Sequence, residues 1–586
     1  MIKKFSSYIA SSLFLKIIIL LVVGFILYSF MLASSFKVLD DQFSILENPY
    51  VRNFNHASKA FAQSFFLRNT YYRPLVTFSF AVENHFFGLN PVAFNLTNVI
   101  LHLATSIIIL LLMSLILKDS MIAFWIAFLF MLHPVHTEAV SNIAGRSILL
   151  CALFQLATFL FYVLFQKRRK ALYYILAVLC FALALLSKES AIMLPAVLLA
   201  YNFFFCKDQK RNLIRLSKPL VGFAGVVVFY LSVRKILGIV RLPSTLAAQD
   251  FFLGIITFWR ALFTYFRILI LPVDLHPDRL QPVFRSFFNV QAVATLLGWG
   301  GFLFVLAKFY KRFSRRVLFF MSFAALAVFP VSQVFPLRPQ AGYIMASEHF
   351  FYMPAVGLLA LVVLGLRQAY KKITSRKLVS PLASRLCFLG WVIFLSMITA
   401  EQNLHAVNEA AMLKRSLRYQ PFNARIHASL GFRYAKLGSF KQAEKHFRAA
   451  LSYDEKNMRS LIGLGASLID QGRYWEGLAE LEKVQDPSDL RPVFDSNREL
   501  GYRRVMEGYQ KRLLKEPNNA QLLYSMGVVY SKTDKHEEAI AKYKKALSLD
   551  PGLRNALFNL CSTYGILNRE EEAHRCYEDL ELLENN

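Results

Sequence analysis

Two adjacent carboxylates, Asp40 and Asp41, directly follow a long apolar run. A carboxylate at a lipid–water boundary is suited to accept the proton of an attacking hydroxyl. Five more polar clusters are embedded in apolar sequence: TYYRPL (70–75), HPVHTEAVSNIAGR (133–146), SKES (187–190), PVDLHPDR (272–279) and RPQ…SEHFFYMP (338–354). Arg73, Arg146, Lys188 and Arg338 are candidates to neutralise a phosphate, since charge pairing holds phosphate oxygens near low dielectric. Arg73 reads equally as a helix-start anchor pairing with Glu47. His133, His136, Glu138 and Asn142 are candidates to bind sugar hydroxyls or orient the carboxylate. His133, His136 and Glu138 also have a spacing that could hold a divalent metal, and structural histidines fit that spacing as well. An acidic pair alone is equally a solvated loop; its company on one face favours a site.

These residue types suit a polyprenyl-phosphate sugar, its lipid between helices and its phosphate at the external rim. An acceptor hydroxyl attacks the anomeric carbon as the phosphate departs. One general base suffices, because a phosphate leaves as a stabilised anion and needs no strong general acid. Direct attack inverts the anomeric centre. No cofactor beyond this donor is called for, and the divalent metal is not the favoured reading.

The elements that must position these groups are membrane helices. Of 586 residues, 56% are hydrophobic and 18% charged. Apolar runs of spanning length dominate up to about residue 400, and ordinary soluble helical sequence follows. The expected domains are 1–401, with an external loop at 36–93, and 402–586. Eleven spans are expected, at 12–34, 94–117, 120–140, 147–165, 171–187, 190–206, 218–235, 289–308, 317–334, 349–367 and 385–400. The run at 252–271, interrupted by Arg260 and Arg267, is expected to be re-entrant or interfacial within a segment 252–287. Lys118, the cluster QKRRK (166–170), Lys207–Lys218, KFYKRFSRR (308–316) and RQAYKK (367–372) then share one face with the N-terminus. That face is cytoplasmic by the positive-inside bias, so the 36–93 loop and the C-terminal domain lie across the membrane. The same bias accounts for the net charge of +29, which excludes nucleic acid as the partner it implies. Six cysteines without CxxC spacing point to neither a disulfide framework nor a zinc site.

A 34-residue period begins at 423. Gly431, Gly438, Phe440 and Ala443 recur as Gly465, Gly472, Tyr474 and Gly477. Gly527, Tyr530, Ala539, Tyr543 and Ala546 open another unit, followed in step by Cys561, Tyr564, Ala573 and Tyr577. Segment 485–520 keeps only a second-helix half, so one repeat is degraded or remodelled. The pattern resembles the tetratricopeptide repeat, and such an array suits a polypeptide acceptor or partner. The fold class is therefore all-α, a polytopic membrane bundle followed by a helical solenoid.

LDDQFSILENPYV (39–51), YRPLVTFSF (72–80), FNLTNVILH (94–102), LHPVHTEAVSNIAGR (132–146), LLSKES (185–190), LPVDLHPDR (271–279) and EHFFYMPAVG (348–357), then the repeats, together resemble the transmembrane and tetratricopeptide repeat-containing protein family. The resemblance implies a type-C glycosyltransferase fold and protein O-mannosyl transfer from a lipid-phosphate mannose. It implies that Asp40 and Asp41 are the family's acidic pair, either being the base, that Glu138 and Arg146 match the polar residues of its HPVHTE…GR segment, and that Glu348 matches its acidic position before the YMP-like stretch. His349 stands beside Glu348 as a further sugar-binding or orienting candidate. Ser147 and Ile148 stand where the family usually has an acidic residue. A bacterial inner membrane with a periplasmic array is expected, or the endoplasmic reticulum membrane in a eukaryote. A lipid-linked glycan acceptor, a non-catalytic scaffold and a transporter are the competing readings; polar groups gathered at one face rather than mid-membrane disfavour the transporter.

Overall fold

The computed structural model describes residues 12–38, 40–63, 71–205, 217–239, 248–334, 342–376, 379–485, 487 and 491–585. Arg338 lies outside them. The chain forms two compact units, Met1–Ile426 and His427–Asn586, so the membrane unit runs on past residue 401. Both are helical. Among the described residues the only strands are β1 (Leu280–Pro282) and β2 (Tyr343–Met345), antiparallel with Leu280 opposite Met345.

Eight described helices are long and apolar enough to cross a bilayer, or nine if one bent pair counts as a single span. The shortfall from eleven has a geometric cause. Ala171–Ser187, Glu189–Phe205 and Arg315–Val328 hold 17, 17 and 14 residues, and at 1.5 Å per residue they fall short of a hydrocarbon layer about 30 Å thick. The bent pair is Ser120–Leu132 and Pro134–Ser141, at 50° to each other. It replaces the continuous span expected at 120–140. Pro134 has no N–H to continue the ladder, and His133 turns its ring back to accept from the Val135 N–H.

The segment expected to be re-entrant or interfacial is a helix, Ala248–Ile270, and it too has the length and apolarity of a span. Its polar contacts nevertheless run to connecting segments. The Phe284 N–H donates to Thr257 Oγ1 (3.1 Å), Arg260 donates to the Pro282 carbonyl (2.9 Å), and the Tyr265 hydroxyl donates to the Ser347 carbonyl (2.9 Å).

In the second unit, helix pairs such as Met458–Asp470 with Tyr474–Glu482 and Ala520–Lys532 with His536–Leu549 follow the sequence period. Small residues are required where helices meet: a Cβ on Gly527 would lie 2.5 Å from the Tyr543 ring. The remodelled repeat is one helix, Arg491–Lys515. The expectation of no disulfide is overturned, because Cys561 and Cys576 are bonded across the last helix pair. Their separation of 15 residues looks unremarkable as spacing, but the helical hairpin folds it into contact.

Candidate active site at the connecting loops

The chain leaves its first apolar helix, Leu13–Tyr28, and presents Asp40 and Asp41 at the head of the helical turn Gln42–Leu46. The two neighbours meet opposite environments. Asp41 is fully buried. Its carboxylate accepts the Lys37 N–H (2.8 Å) and the Ala144 N–H (2.9 Å). The second bond depends on Gly145, where a Cβ would stand 2.3 Å from the Ala139 carbonyl oxygen; only glycine lets the chain fold back this tightly. Burial pushes the Asp41 carboxyl up to about 6, against the pull of those N–H groups and the Lys37 charge. Asp40 is different. Its side chain is 33% exposed, one oxygen accepting from Arg425 (3.0 Å) and the other from Asn142 Nδ2 (3.3 Å).

Around Asp40 the connecting segments supply a network. Arg425 also reaches Asp278 (3.3 Å). The Asp278 N–H points to Glu138 (3.5 Å), which pairs with His349 through the His349 N–H and Nδ1, both at 2.9 Å. Asp278 sits at φ +53°, a left-handed conformation uncommon for a non-glycine residue. Burial raises its carboxyl, with Arg425 opposing. Asn142 contributes a carbonyl oxygen, Oδ1, that is buried and without a hydrogen-bond partner among the described residues. Glu348, expected near a sugar, is instead buried under the same loop. It accepts the His276 N–H (2.9 Å) and an Arg279 N–H (3.1 Å), fastening PVDLHPDR to SEHFFYMP.

The expected phosphate-binding cations separate sharply. Arg146 is only 1% exposed, and its guanidinium donates to Asn98, Glu83 and the Phe94 carbonyl while lying over the Phe80 ring. It is not presented to a ligand, because its charge and donors are satisfied internally. Arg73 pairs with Glu189 through two N–H groups (2.8 and 3.2 Å), in place of Glu47. Burial works against its charge, but Glu189 more than offsets this and raises the group. Lys188 lies next to that pair, and among the described residues its ammonium has no hydrogen-bond or ion-pair partner. Burial, and then Arg73, lower it to about 8. Glu138 is among the acids whose charge opposes that lowering.

His133 and His136 are both fully buried. His133 bonds the Leu269 carbonyl through Nε2 (2.9 Å) and caps Val135 through Nδ1. His136 packs between the Phe130 and Tyr352 rings, 4.3 and 4.8 Å between centroids. Among the described residues no three His, Cys, Asp or Glu side chains group as metal ligands, so His133, His136 and Glu138 do not form the metal site their spacing allowed. Sequence reasoning missed Arg425, Lys37 and Glu83. Lys37 is buried and donates to Ser141 Oγ (3.2 Å). The only signal for it was its position three residues before the acids.

Comparison with known proteins follows the same division. Residues 73–234 match the family model for dolichyl-phosphate-mannose-protein mannosyltransferase, and 424–457 and 520–553 match tetratricopeptide repeat models. The protein O-mannosyl-transferase TMTC3 of Homo sapiens is 26% identical over 83% of this chain and 62% of its own length. Protein O-mannosyl-transferase F38B6.6 of Caenorhabditis elegans is 26% identical over 75% of this chain and 63% of its own. TMTC1 of Homo sapiens is 25% identical over 74% and 54%. The chain thus spans somewhat over half the length of these relatives.

Proposed function

We propose that this chain, which belongs to the transmembrane and tetratricopeptide repeat-containing, protein O-mannosyltransferase-like family, transfers a mannosyl group from a polyprenyl-phosphate donor to a hydroxyl of a protein. Asp40 is the general base. The observation that carries this is the contrast within the acidic pair: Asp41 is sealed against two backbone N–H groups, while Asp40 is partly exposed, with Arg425 and Asn142 on its two oxygens. Asp41 shapes the loop; Asp40 meets the acceptor.

In the reaction the acceptor hydroxyl gives its proton to the Asp40 carboxylate as its oxygen bonds to the anomeric carbon. The bond from that carbon to the phosphate oxygen breaks, and the polyprenyl phosphate leaves with the electron pair. The charge on the departing phosphate is met by Lys188, with Arg73 held ready beside it by Glu189. Asn142 Oδ1, His349 and Glu138 are positioned to take sugar hydroxyls. The protein acceptor is gathered by the repeats.

The topology that fits has the first loop and the array on the non-cytoplasmic side, periplasmic or lumenal. Because Asp40 and Arg425 touch, the chain crosses the membrane an even number of times between them and an odd number in total. Eleven crossings satisfy this if the three shorter helices cross a locally thinned bilayer and Ala248–Ile270 lies along the external face, as its contacts with 282, 284 and 347 favour. A Cys561–Cys576 bond suits an oxidising compartment.

The test is transfer of radiolabelled mannose from polyprenyl-phosphate mannose to exported protein by purified full-length chain. D40N is expected to slow transfer by about 10²–10⁴-fold while remaining folded. Transfer by D40N at the wild-type rate would refute Asp40 as base.

A further inference from the structure

The stretch that leads from the last membrane helix into the repeats is bound closely to the external loops. Glu409 accepts the Val38 N–H (2.7 Å), two residues before Asp40. The Tyr419 ring stacks on His276 at 5.1 Å, and Phe422 on Tyr343 at 4.9 Å. Gln420 behaves as one more rung on β1, accepting the Leu280 N–H (2.9 Å) and donating to the Leu280 carbonyl (2.8 Å). Asn423 donates to the Asp278 carbonyl (2.9 Å). Gln420 and Asn423 are buried, so these bonds satisfy backbone groups that water cannot reach.

This strap ends at Arg425, in the first turn of the helix Ala424–Lys436 that opens the repeats. Arg425 binds side chains. Its guanidinium reaches two carboxylates through different nitrogens, Nη2 to Asp40 and Nε to Asp278. Those acids act on one another as like charges, and a planar fork is the side chain suited to hold both at fixed angles.

We infer that Arg425 is a positioning residue for the transfer reaction, holding the Asp40 carboxylate in place and aimed from the segment that enters the repeat array. The inference rests on Asp40 being the base. The strap, and not only the membrane helices, then completes the reaction centre. The arrangement also ties acceptor capture to chemistry, since the helix that begins the array carries the residue that sets the base.

The experiment compares full-length wild type, R425Q, R425K, D40N and the double variant D40N/R425Q. R425Q is expected to lower kcat by about 10²-fold, the scale of an ångström-sized misplacement of a reacting group, with the KM for polyprenyl-phosphate mannose and the melting temperature unchanged. R425K keeps the charge without the fork and is expected to fall between R425Q and wild type. Residues acting as one unit are non-additive, so D40N/R425Q should be no slower than D40N. Wild-type kcat in R425Q beside a slowed D40N overturns the positioning role and leaves the base reading intact. Losses that multiply in the double variant also overturn it, as they mark a merely structural residue. Full activity in D40N refutes the base itself, and with it the role of Arg425. If R425Q does not fold, R425K and its double variant with D40N decide by the same criteria.

Discussion

Two acid–arginine clusters lie in the same membrane unit and differ in one respect. Arg146 and Glu83 are sealed, their side chains 1% and 6% exposed, with Asn98 and a backbone carbonyl closing the set. Arg425 and Asp40 form the same kind of pair with side chains 30% and 33% exposed. Residue type does not separate them, and burial does. The sealed knot joins helix Pro74–Phe87 to Pro91–Leu117 and Arg146–Arg168, and no substrate can approach it. The open cluster is built from connecting segments, and its side chains remain partly exposed. On the proposed function, the sealed cluster serves stability and the open one chemistry.

Variants that exchange these two consequences would break the distinction. The largest effect is expected at the open cluster: D40N should lower kcat by about 10²–10⁴-fold, the contribution of a general base, with thermal unfolding in detergent unchanged. A comparable fall in melting temperature would assign Asp40 to the fold. At the sealed cluster the expectation reverses. R146A leaves Glu83 buried without its partner and should destabilise by about 3–5 kcal/mol, read as reduced yield of monodisperse protein and a lower melting temperature. Wild-type stability in R146A would contradict the assignment.

A smaller effect sharpens the contrast between the adjacent acids. In D41N the amide offers one acceptor oxygen to two backbone N–H groups, leaving one N–H facing an amine. The expected loss is about 1–3 kcal/mol for the unsatisfied group, with residual turnover per folded molecule well above that of D40N. Equal turnover in the two variants would erase the division of labour. The smallest effect concerns pH. Lys188 is charged below its lowered pKa of about 8 and neutral above it. For the free enzyme, kcat/KM toward the donor should therefore decline as pH rises through that value, and K188R should carry the plateau to higher pH. An identical alkaline limb in K188R would remove Lys188 from donor binding.

Much of the architecture was legible in the sequence. The 34-residue period gave the helix pairs of the array, and the gap at 485–520 appears as the single helix Arg491–Lys515. Clusters read as sharing one face do meet: 133–146, 272–279 and 348–349 are joined through Glu138, Asp278, Arg279 and Glu348. What escaped the sequence was burial. Arg146 reads as an available cation until Glu83 is seen inside the apolar stretch FAVENHFF. Asp40 and Asp41 are indistinguishable as letters, and the turn permitted by Gly145, a hundred residues away, separates them. Arg425 was invisible for another reason. It stands at the start of a repeat helix, where an arginine is ordinary, and only the fold of the strap carries it to Asp40. Pro134 was in view, but its consequence for the 120–140 run depended on His133 capping the break.

The central claim is that Asp40 faces an anomeric carbon whose phosphate is held by Lys188. A structure of the full-length chain with bound polyprenyl-phosphate mannose addresses it directly. The account predicts phosphate oxygens within about 3 Å of Lys188 Nζ and the mannose ring presented to Asp40, with Asp41 and Arg146 touching no part of the donor. Phosphate seated away from Lys188, with Asp40 facing no sugar, would contradict it.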